Sequence, residues 1–224
     1  MPTSKPGSEN WRTLLPEALG LLRDAERHVG HAIEWSIGGG TSLRLRYEHR
    51  DSHDIDVFIR DPQLLGIVSP RLNDRTATLV AGYTEQSNFL KLNTPAGDID
   101  FIVAAPLTVP GVEERVLGGV DIRIDTPAEV VAKKLLYRAS GLRPRDLVGA
   151  AVVLAKEPGA DAAVARIVAG KYDILSERIP ALLERLAEPN AAQRFALLPA
   201  GEPYLARAGE ILSAFLETVR LERR

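Results

Sequence analysis

Cysteine is absent from all 224 residues. Its absence excludes a disulfide framework, thiolate catalysis and thiol-held metals, and it fits a reducing compartment. Long apolar runs are missing too. The longest, residues 147–155, is about half of what a bilayer span requires. The opening decapeptide MPTSKPGSEN is polar and lacks the apolar core of a signal peptide, so the cytoplasm is the expected location and no membrane partner is expected. Charge of one sign is not in excess: the formal net charge is −2, and no global basic field advertises nucleic acid. An RNA partner would have to be met by local arginines. Internal repeats and low-complexity segments are also missing.

What remains is an ordinary globular balance, 45% apolar and 26% charged residues, in a chain long enough to bury a real core. Its texture changes midway. Helical spacing of Leu14, Leu15, Leu19, Leu22 and Ala25 predicts a helix over 11–29. Strands are predicted at 32–37, 55–59, 89–92 and 99–104, with a hairpin over 116–124 around Gly118-Gly119. A helix is expected over 41–48, and a helix or irregular connection over 63–72. From Thr126 onward everything reads helical. Thr126-Pro127-Ala128-Glu129 has the form of a capping box with proline at the first helical position. Further helices are predicted over 145–156, 161–169, 179–187 and 206–221, with Pro180 among the residues that punctuate them. The expected organisation is an α/β core over 10–125 and a helical domain over 126–224, with a loose tail at 1–9.

The chemistry concentrates in IGGGTSLRLRYEHRDSHDIDVFI, residues 37–59. Asp54 and Asp56 are two apart at the start of a strand, so they share a face, while Ile55 and Val57 point into the core. Two like charges held together call for a cation. Oxygen-only donors suit a hard ion such as magnesium. A glycine turn leading into a helix offers backbone N–H groups to a phosphate. Together these parts describe a site for a metal-bound nucleotide. A second strand, GDIDFIV at 97–103, carries Asp98 and Asp100 on one face. If it pairs beside the first, one of them completes the carboxylate set that two-metal phosphoryl transfer uses; Asp100 is favoured and Asp98 stays open.

Other phosphate motifs fail. GGGTSL lacks the Walker lysine, and Leu43 stands where the dinucleotide fingerprint needs a small residue. His49 and His53 are four apart but lack a metalloprotease glutamate, so both read as structural or surface groups.

GGTSLRLRYEHRDSHDIDVF resembles the core motif of the AbiEii-type toxin nucleotidyltransferases, the family that includes the MenT-like toxins. The matching residues are Gly39, Gly40, Thr41, His49, Arg50, Ser52, Asp54 and Asp56. Asp100 matches the family's further strand aspartate, AEVVAKKLLYR its lysine helix, and RPRDLVG its later RD-L-x-D through Arg145 and Asp146. The second aspartate of that last motif is Gly149 here. The resemblance implies a polymerase-β-like nucleotidyltransferase fold, α/β with a mixed sheet, followed by a helical C-terminal region. It also implies transfer of a nucleoside monophosphate from a nucleoside triphosphate to a hydroxyl acceptor, a tRNA or other RNA 3′ end in some members. A toxin–antitoxin context implies a cognate antitoxin.

In that reading Asp54, Asp56 and Asp100 hold Mg2+. Gly39 and Gly40 admit the triphosphate, and Thr41 or Ser42 gives it a hydroxyl. Lys134, favoured over Lys133 because Lys133 points further from the apolar stripe, neutralises the phosphates, and Asp146 belongs to the nucleotide site. Arg50 meets either phosphate or a carboxylate. For an RNA acceptor the candidate cations are Arg44, Arg46, Arg50, Arg138, Arg143, Arg145, Arg220, Arg223 and Arg224. The alternatives are a small-molecule nucleotidyltransferase of the aminoglycoside-modifying kind and a catalytically weak nucleotide-binding module.

Overall fold

The structure is a computed structural model describing residues 10–223; the tail at 1–9 and Arg224 lie outside them. Along the chain run α1 (Asn10–Val29), β1 (Trp35–Gly38), α2 (Gly39–Tyr47), β2 (Ile55–Ile59), α3 (Gln63–Val68), α4 (Asp74–Leu79), β3 (Gly82–Glu85), β4 (Phe89–Thr94), β5 (Gly97–Val103), β6 (Val112–Leu117) and β7 (Val120–Asp125). Helices then follow without interruption by strands: α5 (Pro127–Tyr137), α6 (Pro144–Lys156), α7 (Ala160–Val168), α8 (Tyr172–Leu186), α9 (Ala191–Arg194), α10 (Glu202–Ala206) and α11 (Ala208–Glu222).

The chain divides into two compact units. The first holds the described residues through Thr41 together with Ser52–Ala105 and Glu114–Ile124. Its centre is a mixed seven-stranded sheet in the order β3-β4-β5-β2-β1-β7-β6. β2 is antiparallel to β1 and parallel to β5, and β5 turns back antiparallel on β4. Ile55, Val57, Ile99 and Phe101 are fully buried on one face, where α1 lies across β2 and β5. Period-2 alternation sends the intervening aspartates to the other face. Gly118 and Gly119 both take positive φ and close the predicted β6–β7 hairpin. Two elements escape the sequence pattern. α4 is started by Asn73, whose side chain accepts the Thr76 N–H. β3 is a short edge strand with no buried residue to give it an alternation signal.

The second unit holds Ser42–Asp51, Pro106–Glu113 and the described residues from Asp125 onward. Its core gathers Leu43 and Tyr47 of α2 with Leu135, Leu147, Val148, Val152, Leu175, Leu182, Leu212 and Phe215. Pro180 does not open a helix, as its place at the start of the predicted 179–187 helix implies. It sits inside α8, which buries Leu175, Ile179, Leu182 and Leu186 along one side. That continuous apolar stripe outweighs the roughly 3 kcal/mol an internal proline costs. Only half of the predicted capping box forms. The Thr126 hydroxyl caps Glu129 N–H, but Thr126 N–H donates to the Gly111 carbonyl instead. The Glu129 carboxylate is turned to the Leu107 and Thr108 N–H groups and the Thr108 hydroxyl. It is completely buried, and Lys133 Nζ lies 3.3 Å from it and 2.8 Å from Asp125 Oδ2.

Candidate active site

The parallel register of β2 and β5 sets Asp56 directly beside Asp100, and the antiparallel register of β1 sets Gly38 on the other side of Asp56. Asp54 precedes β2 by one residue and is exposed; its Oδ1 accepts the backbone N–H of Asp98 at 3.2 Å. The chain leaves β1 and enters α2 at Gly39, where φ is +69°. A Cβ at Gly39 would fall 1.7 Å from Asp56 Oδ2. Both the backbone angle and the close approach therefore require glycine, and the Asp56 carboxylate rests on the first residue of the helix.

Thr41 is fully buried, donates its hydroxyl to the Asp54 carbonyl at 2.5 Å and lies 3.1 Å from Ser52 Oγ. It fastens the segment that leads into the aspartates. Ser42 and Gly40 are buried as well.

Burial, and next the Asp56 charge, push Asp100 up to about 6; Lys91 offsets this only in part. The unfolded value is 3.8, so this group's contribution to stability is present at acid pH and is lost as pH rises from there to about 6. A cation placed between the two carboxylates removes that penalty. Among the described residues, no group of three or more histidines and carboxylates converges into a self-sufficient metal cage. One or two carboxylates completed by substrate phosphates is how magnesium is usually held. The hard-oxygen Asp56–Asp100 pair, with Asp54 nearby in the chain, fits a divalent ion carried by a nucleoside triphosphate.

The second unit contains the lysine candidates. Lys133 does not point into solvent; its side chain is 4% exposed and ion-paired with Asp125 and Glu129. The reason lies in α5 itself, where Val130, Val131, Ala132, Lys133 and Leu135 are all buried. Lys134 is 13% exposed and stands 3.3 Å from Asp146 Oδ1. Asp146 is buried and also accepts Arg143 N–H at 3.0 Å. Burial works to raise Asp146, but Lys134, the Arg143 N–H and two arginines together hold it below the usual carboxylate value. Arg50 is buried, donates to the Asp51 carbonyl and bridges to Leu197 through its backbone.

Three of the expected RNA-facing cations are thus occupied within the fold. Arg44 pairs with Asp51, Arg46 with Glu113 and Glu157, and Arg50 is internal. Arg220 and Arg223 pair with Glu217 and Asp173. Arg138, Arg143 and Arg145 are exposed.

His49 is completely buried, and neither ring nitrogen has a hydrogen-bond partner. Burial first, then the charges of Arg50 and Lys134, lower it to about 3. An unfolded chain takes up that proton near pH 6.5. Stability is therefore intact above about pH 6.5 and falls as pH drops towards 3, at roughly 1.4 kcal/mol per pH unit. Urea midpoints at pH 7, 5.5 and 4.5 should show this slope, and His49→Phe should flatten it. A Cβ at Gly149 would lie 3.4 Å from Leu43 and 3.5 Å from His49 Nε2, ordinary contact distances. Gly149→Asp, whose carboxylate must find room beyond that Cβ, should raise the ring's proton affinity and shorten the acid limb where the variant folds. An unchanged limb in His49→Phe excludes His49 as its source.

Lys91 and Asn93, absent from the sequence reading, face Asp100 and Asp98 across the β4–β5 hairpin. Lys91 Nζ is 2.5 Å from Asp98 Oδ2, and Asn93 Nδ2 is 2.9 Å from Asp98 Oδ1. Counting back from the TPAG turn in FLKLNTPAGDID would have found them, since a hairpin fixes its own register.

Comparison with known proteins follows the same lines. The family profile described as "Nucleotidyl transferase AbiEii toxin, Type IV TA system" matches residues 20–208. No curated protein matches the chain closely enough to count as a relative. Among solved structures, the nucleotidyltransferase toxin MenT4 of Mycobacterium tuberculosis is 15% identical at a TM-score of 0.54, over 95% of this chain and 86% of its own. A candidate nucleotidyltransferase from Helicobacter pylori is 14% identical at 0.52, over 96% and 97%. The protein JHP933, also from Helicobacter pylori, is 15% identical at 0.51, over 98% and 96%. At these identities the likeness shows the fold, a mixed sheet with helices and a helical C-terminal region. Among the described residues no helix is long and apolar enough to cross a membrane.

Proposed function

Because the chain belongs to the AbiEii nucleotidyltransferase toxin family and is thereby a nucleotidyltransferase, we propose that it uses Mg2+ to transfer a nucleoside monophosphate from a nucleoside triphosphate to the 3′ hydroxyl of a tRNA or other RNA. The observation that carries this reading is Asp56 in register with Asp100 and pressed against the first residue of α2. In the proposed reaction the acceptor hydroxyl oxygen forms a bond to the α-phosphorus. The bond from that phosphorus to the oxygen bridging the β-phosphorus breaks, and pyrophosphate leaves.

Asp54, Asp56 and Asp100 would hold magnesium, which neutralises the triphosphate and acidifies the acceptor hydroxyl. Asp100, in register beside Asp56, is the proposed acceptor of the hydroxyl proton. The N–H groups at the start of α2, from Gly39 and Gly40 onward, are the proposed triphosphate cradle. The Thr41 hydroxyl is given to the Asp54 carbonyl and braces the turn, and Ser42 is the proposed hydroxyl donor to the phosphates. Lys134 is proposed as the cation for the leaving pyrophosphate, with Asp146 holding it in place. Arg50 is assigned a supporting role beside them. The exposed Arg138, Arg143 and Arg145 are the proposed contacts to RNA phosphates. A cognate antitoxin, in keeping with the family description, is the proposed protein partner, and the cytoplasm the proposed site of action.

The test is transfer from each of four labelled nucleoside triphosphates, with and without Mg2+ and total RNA. Labelled RNA that depends on both confirms the proposal. Labelling of a small hydroxyl compound with no response to RNA moves the protein to the antibiotic-modifying class. In the same assay Lys134→Ala should raise KM for the triphosphate and lower turnover, with a modest loss of melting temperature because buried Asp146 then keeps only the Arg143 N–H and two more distant arginine charges. Lys133→Ala should instead strip the buried Asp125 and Glu129 of their cation and cost stability, about 3–5 kcal/mol. Arg143→Glu should weaken RNA use and spare triphosphate binding.

A further inference from the structure

Lys91 places an ammonium inside the acidic face. It stands opposite Asp100 in the β4–β5 register, as Asp56 does on β2, so the three form one row across neighbouring strands. The next row pairs Asn93 with Asp98. Lys91 Nζ makes its short contact diagonally, 2.5 Å to Asp98 Oδ2, and a longer one of 3.4 Å to Asp100 Oδ1. Asn93 holds the other oxygen of Asp98 at 2.9 Å. Both Asp98 oxygens are therefore engaged from β4, whereas Asp100 lies between a carboxylate and the far end of a lysine.

We propose that Lys91 is a positioning residue that sets the metal affinity of the site: anchored on Asp98, its ammonium steadies Asp100 beside Asp56 and competes there with the metal ion for the Asp100 carboxylate. The inference rests on the reading of Asp56 and Asp100 as metal ligands. It gives the two aspartates of the GDID strand different work, Asp100 towards the metal and Asp98 towards the lysine. The competition has a direction. An ammonium beside a carboxylate repels an incoming divalent ion, so removing the lysine should tighten metal binding even as Asp100 loses its support. Removing the anchor should do the opposite. With Asp98 uncharged, Lys91 has Asp100 as its remaining charged neighbour among those it contacts, and the metal meets a stronger competitor.

The experiment is a Mn2+ titration of the full chain without nucleotide, followed by the electron paramagnetic resonance signal of free Mn2+, with melting curves alongside. Lys91→Met should bind Mn2+ about tenfold more tightly than the native chain, and Asp98→Asn about tenfold more weakly. Lys91→Gln, closer in polarity at this part-exposed position, should repeat the tightening if the methionine variant does not fold. Shifts of opposite sign support the competition, and in the Lys91→Met background Asp98→Asn should then leave Mn2+ affinity unchanged, because the anchor acts only through the lysine; a tenfold loss that persists there is the Asp98 charge acting on its own and overturns it. Equal affinities, or weaker binding in both, overturn it. Asp100→Asn separates the two readings: loss of Mn2+ binding there with no effect at Lys91 sinks only this inference, while native binding in Asp100→Asn sinks the metal site itself.

Discussion

Asp56→Asn should yield a folded protein whose nucleotide transfer falls to about a thousandth of the native rate or less, the several kcal/mol that a metal-binding carboxylate commonly contributes. The amide keeps the side chain's volume against Gly38 and Gly39 but cannot carry its charge. The same change removes the charged neighbour that helps burial raise Asp100. The Asp100 value should fall towards 3.8, and the melting temperature at pH 7–8 should hold or rise. Magnesium should raise the melting temperature of the native chain by relieving the pair, and should lose most of that effect in the variant. Activity lost while stability is kept is the behaviour of a like-charge pair retained for chemistry. Native-rate transfer by purified Asp56→Asn would falsify the assignment, and a lost melting transition would assign Asp56 to the fold instead.

The sheet was legible because strand chemistry repeats every two residues. D-I-D at 54–56 and D-I-D at 98–100 each announce one acidic and one apolar face. Once β2 and β5 pair in parallel, Asp56 and Asp100 must meet. Which aspartate matters was not legible, because Asp98 and Asp100 share a face and differ only in what β4 sets against them.

Lys133 of α5 defies its apparent outward spacing for a different reason. A helix is assigned an inside and an outside by the angular spread of its apolar residues. Around α5 burial runs through five of six consecutive positions, Val130 to Leu135, leaving spacing unable to say which lysine is solvated. Lys133 lies inside because Asp125 and Glu129 are there to receive it; the Glu129 pair is a local i,i+4 one, but the Leu107–Thr108 segment that buries Glu129 comes from elsewhere in the chain. The same holds for Arg44 and Arg46, whose partners Asp51, Glu113 and Glu157 turn apparent surface cations into internal ion pairs. Charge in a sequence says what can be attracted, while tertiary pairing decides what is already satisfied.

Gly39→Ala should be as damaging to transfer as Asp56→Asn, and unlike it should also destabilise the fold. An alanine at φ +69° carries about 1–2 kcal/mol of left-handed strain. Its Cβ would stand 1.7 Å from Asp56 Oδ2, 2.4 Å from Cγ and 2.9 Å from Cβ. Rotating the aspartate clears the first two contacts and leaves the third, so β1 and the start of α2 must shift against β2. A loss of about 2–4 kcal/mol is expected, within the range for overpacking combined with backbone strain. Gly66→Ala in α3 is the control. Nothing lies within 4 Å of a Cβ there, and helix propensity favours alanine by up to about 1 kcal/mol. The informative variant is the double change Gly39→Ala with Asp56→Ala. Deleting the carboxylate removes the two shortest contacts, and the pair should be more stable than Gly39→Ala alone, a non-additivity expected only of residues in contact. Activity should stay lost in both. Additive stabilities in chemical denaturation would mean that the Asp56 carboxylate does not rest on Gly39, and the triphosphate cradle would then have to be sought away from the start of α2.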